Sequence, residues 1–254
     1  MSKKLITTML IGLLVLSLGL FGCGSKTTEK KVLNVGSDTA FAPFEYQDEK
    51  TKEYVGFDMD LIKAIGDEMG YEVKVQGMPF DGLIPGLEAG TIDLVISAMT
   101  ITDERALKVN FSKPYYQSGL TIVVRSDNTT ITSFDDLKGK TIAVQIGTTG
   151  AMEAKKVEGA TIREFNTAPD AFLELKAGGV DAVINDKPVN DYYITQAGGK
   201  DAKQVGEPLT AESYGIASAK KNTELAEKVD QALAKLRENG KYDEIYTKWF
   251  GAQK

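Results

Sequence analysis

The sequence predicts an α/β protein with mostly parallel sheet, and three observations carry that reading. Short runs rich in Val and Ile alternate with stretches of helical period, glycines stand where the helices should stop, and one strand-helix-strand order occurs twice without a fixed-period repeat. In the first unit Val32 to Gly36 reads as a strand. Leu61, Ile62, Ile65 and Met69 fall on one helical face that Gly70 ends, Tyr71 to Gln76 is a strand, Asp81 to Ala89 is a helix stopped by Gly90, and Ile92 to Ala98 is a buried strand. A second unit starts after Tyr115-Tyr116-Gln117-Ser118-Gly119. It has strands at Thr121 to Arg125, Thr141 to Val144 and Val180 to Ile184, a short helical turn capped by Ser133, and a helix opened by Thr148-Thr149. Another helix opens at Thr167-Ala168-Pro169-Asp170 and ends at Gly178-Gly179. After Tyr214 come a strand at Gly215 to Ser218 and a long amphipathic helix with Leu225, Val229, Leu233 and Leu236 on its apolar face, ended by Asn239-Gly240. Tyr242, Ile245, Tyr246 and Trp249 share one face of a last helix, which reads as a packing surface rather than a ligand box.

Residues 1–22 read as a signal peptide: Lys3 and Lys4 supply a basic start, Leu5 to Leu20 an apolar stretch short for a membrane anchor, and Gly22-Cys23 a cleavage site. The only cysteine in this place resembles the lipobox of bacterial lipoproteins, although Phe21 stands where that motif usually has a small residue. The resemblance implies lipidation of Cys23, a tether over 23–31, and a location on the outer face of the cytoplasmic membrane, at the cell surface or in the periplasm.

Removing residues 1–22 with their two lysines takes the formal net charge from −6 to −8. That surface argues against nucleic acid and against a basic membrane-binding face. One cysteine allows no internal disulfide, and the absence of histidine removes Ser-His-Asp and Cys-His catalysis together with cysteine-histidine zinc sites. The remaining chain of about 230 residues fits one large domain or two ordinary ones.

The most informative stretch is Ser97-Ala98-Met99-Thr100-Ile101-Thr102-Asp103-Glu104-Arg105. Thr102 reads as an N-cap, so Arg105 falls in the first helical turn with its fork free to reach back over the strand end and grip a carboxylate. The plainer alternative is a capped helix whose Arg105 pairs with Glu104 or solvent. Four further sites follow predicted strands, where open α/β sheets bind ligands. They are Asp38 in Ser37-Asp38-Thr39-Ala40-Phe41, Phe80 in Met78-Pro79-Phe80-Asp81-Gly82, the run Gln145-Ile146-Gly147-Thr148-Thr149-Gly150, and Asp186. Each also has a purely structural reading: an Asx-turn for Asp38, core for Phe80, an N-cap for the threonines, and a helix cap for Asp186.

Together with Gly56-Phe57-Asp58, Phe111-Ser112-Lys113-Pro114-Tyr115-Tyr116 and the run Tyr242 to Gly251, these signatures resemble the polar amino-acid solute-binding proteins of ABC importers, bacterial extracellular family 3, along the whole mature chain. The resemblance implies a two-lobed periplasmic-binding-protein fold of type II. Lobe 1 would be 32–114 and 215–254, lobe 2 would be 120–209, and 115–119 with 210–214 would be crossing strands. It also implies a monomer without cofactor that is not an enzyme and hands a free L-amino acid to an ABC permease. Arg105 would hold the ligand carboxylate with amides near Thr100 and Thr149. Asp186, the Ala98 carbonyl and the Thr100 hydroxyl would hold the ammonium. Phe41 and Phe80 would sandwich the side chain, with Asp38 facing its tip. Met99, Gln145 and Thr148 complete the expected ligand residues. The larger motif match favours glutamine. Gln145 resembles some arginine binders instead, and it leaves Asp38 without a neighbouring cation, which suits a basic side chain. An amino-acid dehydratase of the cyclohexadienyl type, with Glu45 or Asp38 as the acid, and a sensor module are the readings from other classes.

Overall fold

The computed structural model describes residues 30–198 and 200–252, so the expected signal peptide and Cys23 lie outside the described residues. The first sheet is built from β1 (Lys31–Ser37), β5 (Tyr71–Gly77), β6 (Leu94–Val95), β7 (Val109–Phe111) and β15 (Ala217–Ala219) in the order β5-β1-β6-β15-β7, while β2 (Ala40–Phe41), β3 (Glu45–Gln47) and β4 (Tyr54–Val55) form a small antiparallel sheet after β1. The second uses β9 (Leu120–Arg125), β10 (Thr141–Gln145), β11 (Thr161–Phe165), β12 (Ala182–Asp186) and β13 (Ala202–Val205) in the order β11-β10-β12-β9-β13. In each sheet three parallel strands adjoin two antiparallel pairings, so the sheets are evenly mixed rather than mostly parallel. The antiparallel members are β9, which enters the second sheet from a crossing segment, and β15, which returns to the first.

The helices cover these sheets with the faces that the periodicity selects. In α1 (Phe57–Met69), Leu61, Ile62 and Ile65 are fully buried, each contributing about 1.5–3 kcal/mol of burial, and Gly70 ends the helix at φ 78°. The expected helix at 81–89 divides into a 3-10 turn, Phe80–Gly82, and α2 (Leu83–Ala89). The second sheet carries α4 (Thr149–Ala154), α5 (Ala168–Ala177) and α6 (Lys187–Tyr192), and α3 (Asp103–Lys108) precedes β7. Both α4 and α5 start where the threonine caps were expected. The C-terminal pair, α7 (Thr223–Glu238) and α8 (Lys241–Phe250), packs on α1. Tyr242 and Ile245 are buried, and Tyr246 and Phe250 join Phe44, Phe57 and Tyr116 in one aromatic cluster, so this face is a packing surface.

Two connections link the sheets, and they pair as antiparallel β8 (Tyr116–Ser118) and β14 (Glu212–Tyr214) with Glu212 opposite Ser118. Gly119 lets them approach, since a Cβ there would overlap the Thr210 carbonyl.

Three local expectations need correction. The strand expected over 92–98 pairs regularly only at Leu94–Val95, because Ala98 turns to φ 43° and gives its N–H to the Asp58 carboxylate, taking the chain out of the sheet. Ser133 does not cap its turn; Asp136 accepts from the backbone and hydroxyls of Thr132 and Ser133 instead. The strands expected at 180–184 and 215–218 sit one or two residues later, where their side chains meet the neighbouring ladder.

Candidate functional site

A small, nearly closed cavity lies where the first sheet's loops meet the second's, at the carboxyl ends of β1, β6, β10 and β12. Parallel strands leave in opposite directions there, which opens a crevice. Phe41, Phe80, Ser97, Ala98, Thr100, Arg105, Gln145, Thr148, Thr149 and Asp186 line it.

The placement of Arg105 follows from its cap. The Thr102 hydroxyl accepts the Arg105 N–H at 3.2 Å and starts α3 at Asp103, which turns the guanidinium back over the strand end. Nη1 donates to the Thr100 carbonyl at 2.7 Å, and Nη2 crosses to the Gly147 carbonyl at 3.0 Å. The head group lies 5.2 Å from the centroid of Phe80, and the residue is 5 % exposed, so Arg105 serves the cavity rather than Glu104 or solvent. Burial lowers its pKa, while Glu212, Asp186 and Glu104 oppose that shift; a guanidinium stays charged in any case.

Asp186 ends β12 and stands at the N-cap of α6, yet its side chain makes no capping bond. Its Oδ1 instead accepts from Tyr214 Oη at 2.6 Å and Ser118 Oγ at 3.5 Å, both on the crossing strands. The Asp186 carboxyl also hydrogen-bonds that of Glu212, whose Oε2 accepts from the Thr100 hydroxyl at 2.9 Å. Burial first, then the Glu212 charge, push Asp186 up to about 8, with Tyr214 and Arg105 pulling the other way.

At the other end Asp38 stands one side chain behind the lining. Its Oδ2 accepts from Gln145 Nε2 at 2.9 Å rather than closing an Asx-turn, and its N–H donates to Ser97 Oγ at 3.0 Å. Burial raises its pKa to about 6, the Gln145 amide lowers it, and Asp81 raises it. Beneath lies a second acid pair. Glu45 accepts from Ser97 Oγ at 2.9 Å, while Asp58 Oδ2 accepts from Ala98 N–H and Tyr115 Oη, each at 2.8 Å. Glu45 Oε2 and Asp58 Oδ1 have no donor besides the proton these carboxyls share. Burial raises Glu45 well above its ordinary value and Asp58 to about 6.

Nine of the eleven expected ligand residues thus meet in one cavity, and Asp38 touches it through Gln145. Met99 does not line it. Its side chain packs with Phe80, Leu83 and Val109 instead, while its neighbours Ala98 and Thr100 line the cavity. The Thr148 hydroxyl is spent as a cap, accepting from Ala151 N–H and donating to the Gln145 carbonyl, which leaves Thr149 as the freer of the pair. Ser97, Glu45, Asp58, Glu212 and Tyr214 were not among the expected ligand residues. Ser97 and Asp58 stand in the quoted motifs without an assigned role, Glu45 is named there only as a dehydratase acid, and Glu212 and Tyr214 fall in an expected crossing strand.

The family model for bacterial extracellular solute-binding proteins, family 3, matches residues 33–252. The chain is 33 % identical over 246 residues to the arginine-binding extracellular protein ArtP of Bacillus subtilis (strain 168), covering 94 % of this chain and 95 % of that one. Among solved structures, an ancestral arginine-binding protein bound to arginine superposes with a TM-score of 0.85 at 46 % identity, covering 88 % of this chain and 100 % of the other. An ancestral arginine-binding protein bound to glutamine gives 0.84 at 46 % identity, covering 87 % and 99 %. With two mixed sheets in two lobes and a cleft lined from both, the chain belongs to the bacterial extracellular solute-binding proteins of family 3.

Proposed function

We propose that this protein captures a free L-amino acid with a cationic side chain, arginine foremost, and delivers it to the permease of an ABC importer. The carrying observation is Asp38, a buried carboxyl whose hydrogen-bonding neighbour is the neutral amide of Gln145 and whose charged neighbour is a second acid, Asp81. A guanidinium that replaces the Gln145 amide would compensate Asp38, whereas a neutral carboxamide would leave it to take a proton. Phe41 and Phe80 on the lining suit a planar cation stacked between them. The motif match that favoured glutamine rests on Met78 to Gly82, whose Phe80 would stack on either side chain, and on the C-terminal run, which packs on α1, so glutamine becomes the second ligand in rank. In the same reading Arg105 takes the ligand carboxylate, and Asp186 and Thr100 take the ammonium.

The lobes run over 32–114 with 215–254 and over 120–209, with 115–119 and 210–214 as hinge strands; the two sheets and the β8-β14 pair support this division. Among the described residues no helix is long and apolar enough to cross a membrane, and the anchor proposed is a lipid on Cys23. The protein acts as a monomeric carrier rather than a dehydratase. Glu45, the acid a dehydratase would need over its substrate, lies behind Ser97 and is engaged with Asp58. Calorimetric titration with each of the twenty amino acids tests the reading. Arginine should bind tightest; glutamine binding at least as tightly would return the assignment to a neutral ligand, and no binding at all would remove it.

A further inference from the structure

We infer that Glu212, on the crossing strand β14, is a positioning residue for the ligand ammonium, and that the proton through which Asp186 binds Glu212 is released when the ammonium binds. This rests on the proposed amino-acid reading. Both carboxyls are nearly fully buried, Asp186 at 5 % and Glu212 at 7 % exposure, and they are hydrogen-bonded to one another. Two carboxyls in such contact hold one proton between them, because two bare charges at that distance in a dry site repel strongly.

The surrounding donors show how the proton is exchanged for an ammonium. The Thr100 hydroxyl gives its proton to Glu212 Oε2, so its oxygen faces the cavity as an acceptor. Tyr214 Oη and Ser118 Oγ serve Asp186 Oδ1 from the hinge side. Arg105 is the cation that acts on the pair, and its fork is aimed at carbonyls on the carboxylate side of the cavity. The neighbouring Lys187 is drawn outward to Asp191 at 2.6 Å, and Tyr214 is held protonated by burial and by Asp186. An incoming ammonium brings three donors and one positive charge into this group. It can replace the shared proton electrostatically, and it needs both carboxylate oxygens as acceptors, so the proton leaves to solvent.

The sign follows from linkage. Free Asp186 keeps its proton up to about pH 8, whereas ammonium-bound Asp186 does not, so binding tightens as pH rises toward 8 and levels off above it. Asp38, Glu45 and Asp58 form the separate acid group at the far end. Asp38 and Asp58 are raised to about 6, below the interval between about 6.5 and 8 in which Asp186 still holds its proton, and the substitution Glu212→Gln leaves this far group, Glu45 included, in place.

The test is calorimetry of arginine binding at about pH 7 in buffers of different ionisation enthalpy, on wild type and Glu212→Gln. Wild type should release close to one proton, with affinity rising up to about tenfold per pH unit below 8. In Glu212→Gln the charge that helps raise Asp186 is gone and the amide can donate to it, so proton release should fall clearly below the wild-type value and the pH profile should flatten, burial alone sustaining the remainder. A probe that keeps the guanidinium and carboxylate but lacks the ammonium, 5-guanidinopentanoate, should bind wild type without releasing a proton. Arginine binding with no buffer-dependent heat, or with equal proton release in Glu212→Gln, overturns this inference and leaves the amino-acid reading intact. No binding of any amino acid overturns both.

Discussion

The substitution Gln145→Lys separates the two candidate ligands. Gln145 is 2 % exposed, and its Nε2 sits 2.9 Å from Asp38 Oδ2 and 3.0 Å from the Asn166 carbonyl. A lysine at this position would place an ammonium against Asp38 and return that carboxyl toward the ordinary range. An arginine ligand then loses a charge-assisted hydrogen bond, about 1.5–3 kcal/mol, and meets a like charge a few ångströms away. With partial relaxation of the lysine, a net loss of about 2–4 kcal/mol follows, roughly 30- to 1000-fold in affinity. Glutamine carries no charge at its tip and should change by less than about tenfold. Paired calorimetry of both ligands at one fixed salt concentration reads the difference without a screening artefact. Equal losses for arginine and glutamine would show that residue 145 does not face the ligand tip, and the charge argument for arginine would fail with it.

Three other expectations follow from the same geometry. Arg105→Ala should weaken every amino acid by about 2–4 kcal/mol while the circular-dichroism melt stays cooperative, since the lost partner is the ligand's carboxylate rather than the core; unaltered affinity would remove Arg105 from the site. Burial raises Asp38 and Asp58 to about 6 and Asp186 to about 8, so the folded state holds more protons than the unfolded chain in that interval. Their stabilising contribution is complete below about pH 4 and declines as pH rises through 6 to 8, so urea midpoints should fall over that range in ligand-free protein. The hydrogen-bonded surface acids Asp48 and Asp136, whose pKa values are lowered, act oppositely and only at lower pH, and a midpoint that rose from pH 5 to 8 would contradict the assignment. Finally, Cys23→Ser should shift the mature protein from the membrane fraction to the medium or periplasm, or leave it unprocessed. Wild-type protein recovered wholly soluble would count against the anchor.

The elements whose signals are local were legible in the sequence. Gly70, Gly90 and Gly178 stop helices because each occupies a left-handed cap, and Thr102, Thr148 and Thr167 start them because each hydroxyl accepts an amide three residues on. Arg105 was legible for the same reason, since its position in the first turn follows from a cap three residues away. The acids that tune the cavity were not legible in this way. Glu212 meets Thr100 across 112 residues of sequence and Glu45 meets Ser97 across 52, so no window of sequence contains either pair. The end of the strand near Ala98 was misread because its apolar run has strand propensity, while a buried carboxylate at Asp58 recruits the amide that the ladder would have used.

Those long-range acids also change how the cleft achieves selectivity. Each polar group assigned to the ligand has a partner within the protein: Arg105 on the Gly147 carbonyl, Gln145 on Asp38, Asp186 on Tyr214, and Thr100 on Glu212. The first two of these bonds join one sheet's loops to the other's, so a ligand competes for groups that also hold the cleft shut. Affinity is therefore the difference between the ligand's bonds and the bonds it replaces, and a neutral exchange gains little. Exchanging a proton at Asp186 for an ammonium, a carbonyl at Arg105 for a carboxylate, and an amide at Asp38 for a guanidinium each replaces a weaker partner with a charged one. Of the two candidates, only the cationic amino acid makes all three exchanges favourable. Glutamine makes the first two and leaves Asp38 with a neutral partner, so the discrimination between them comes down to one buried carboxyl.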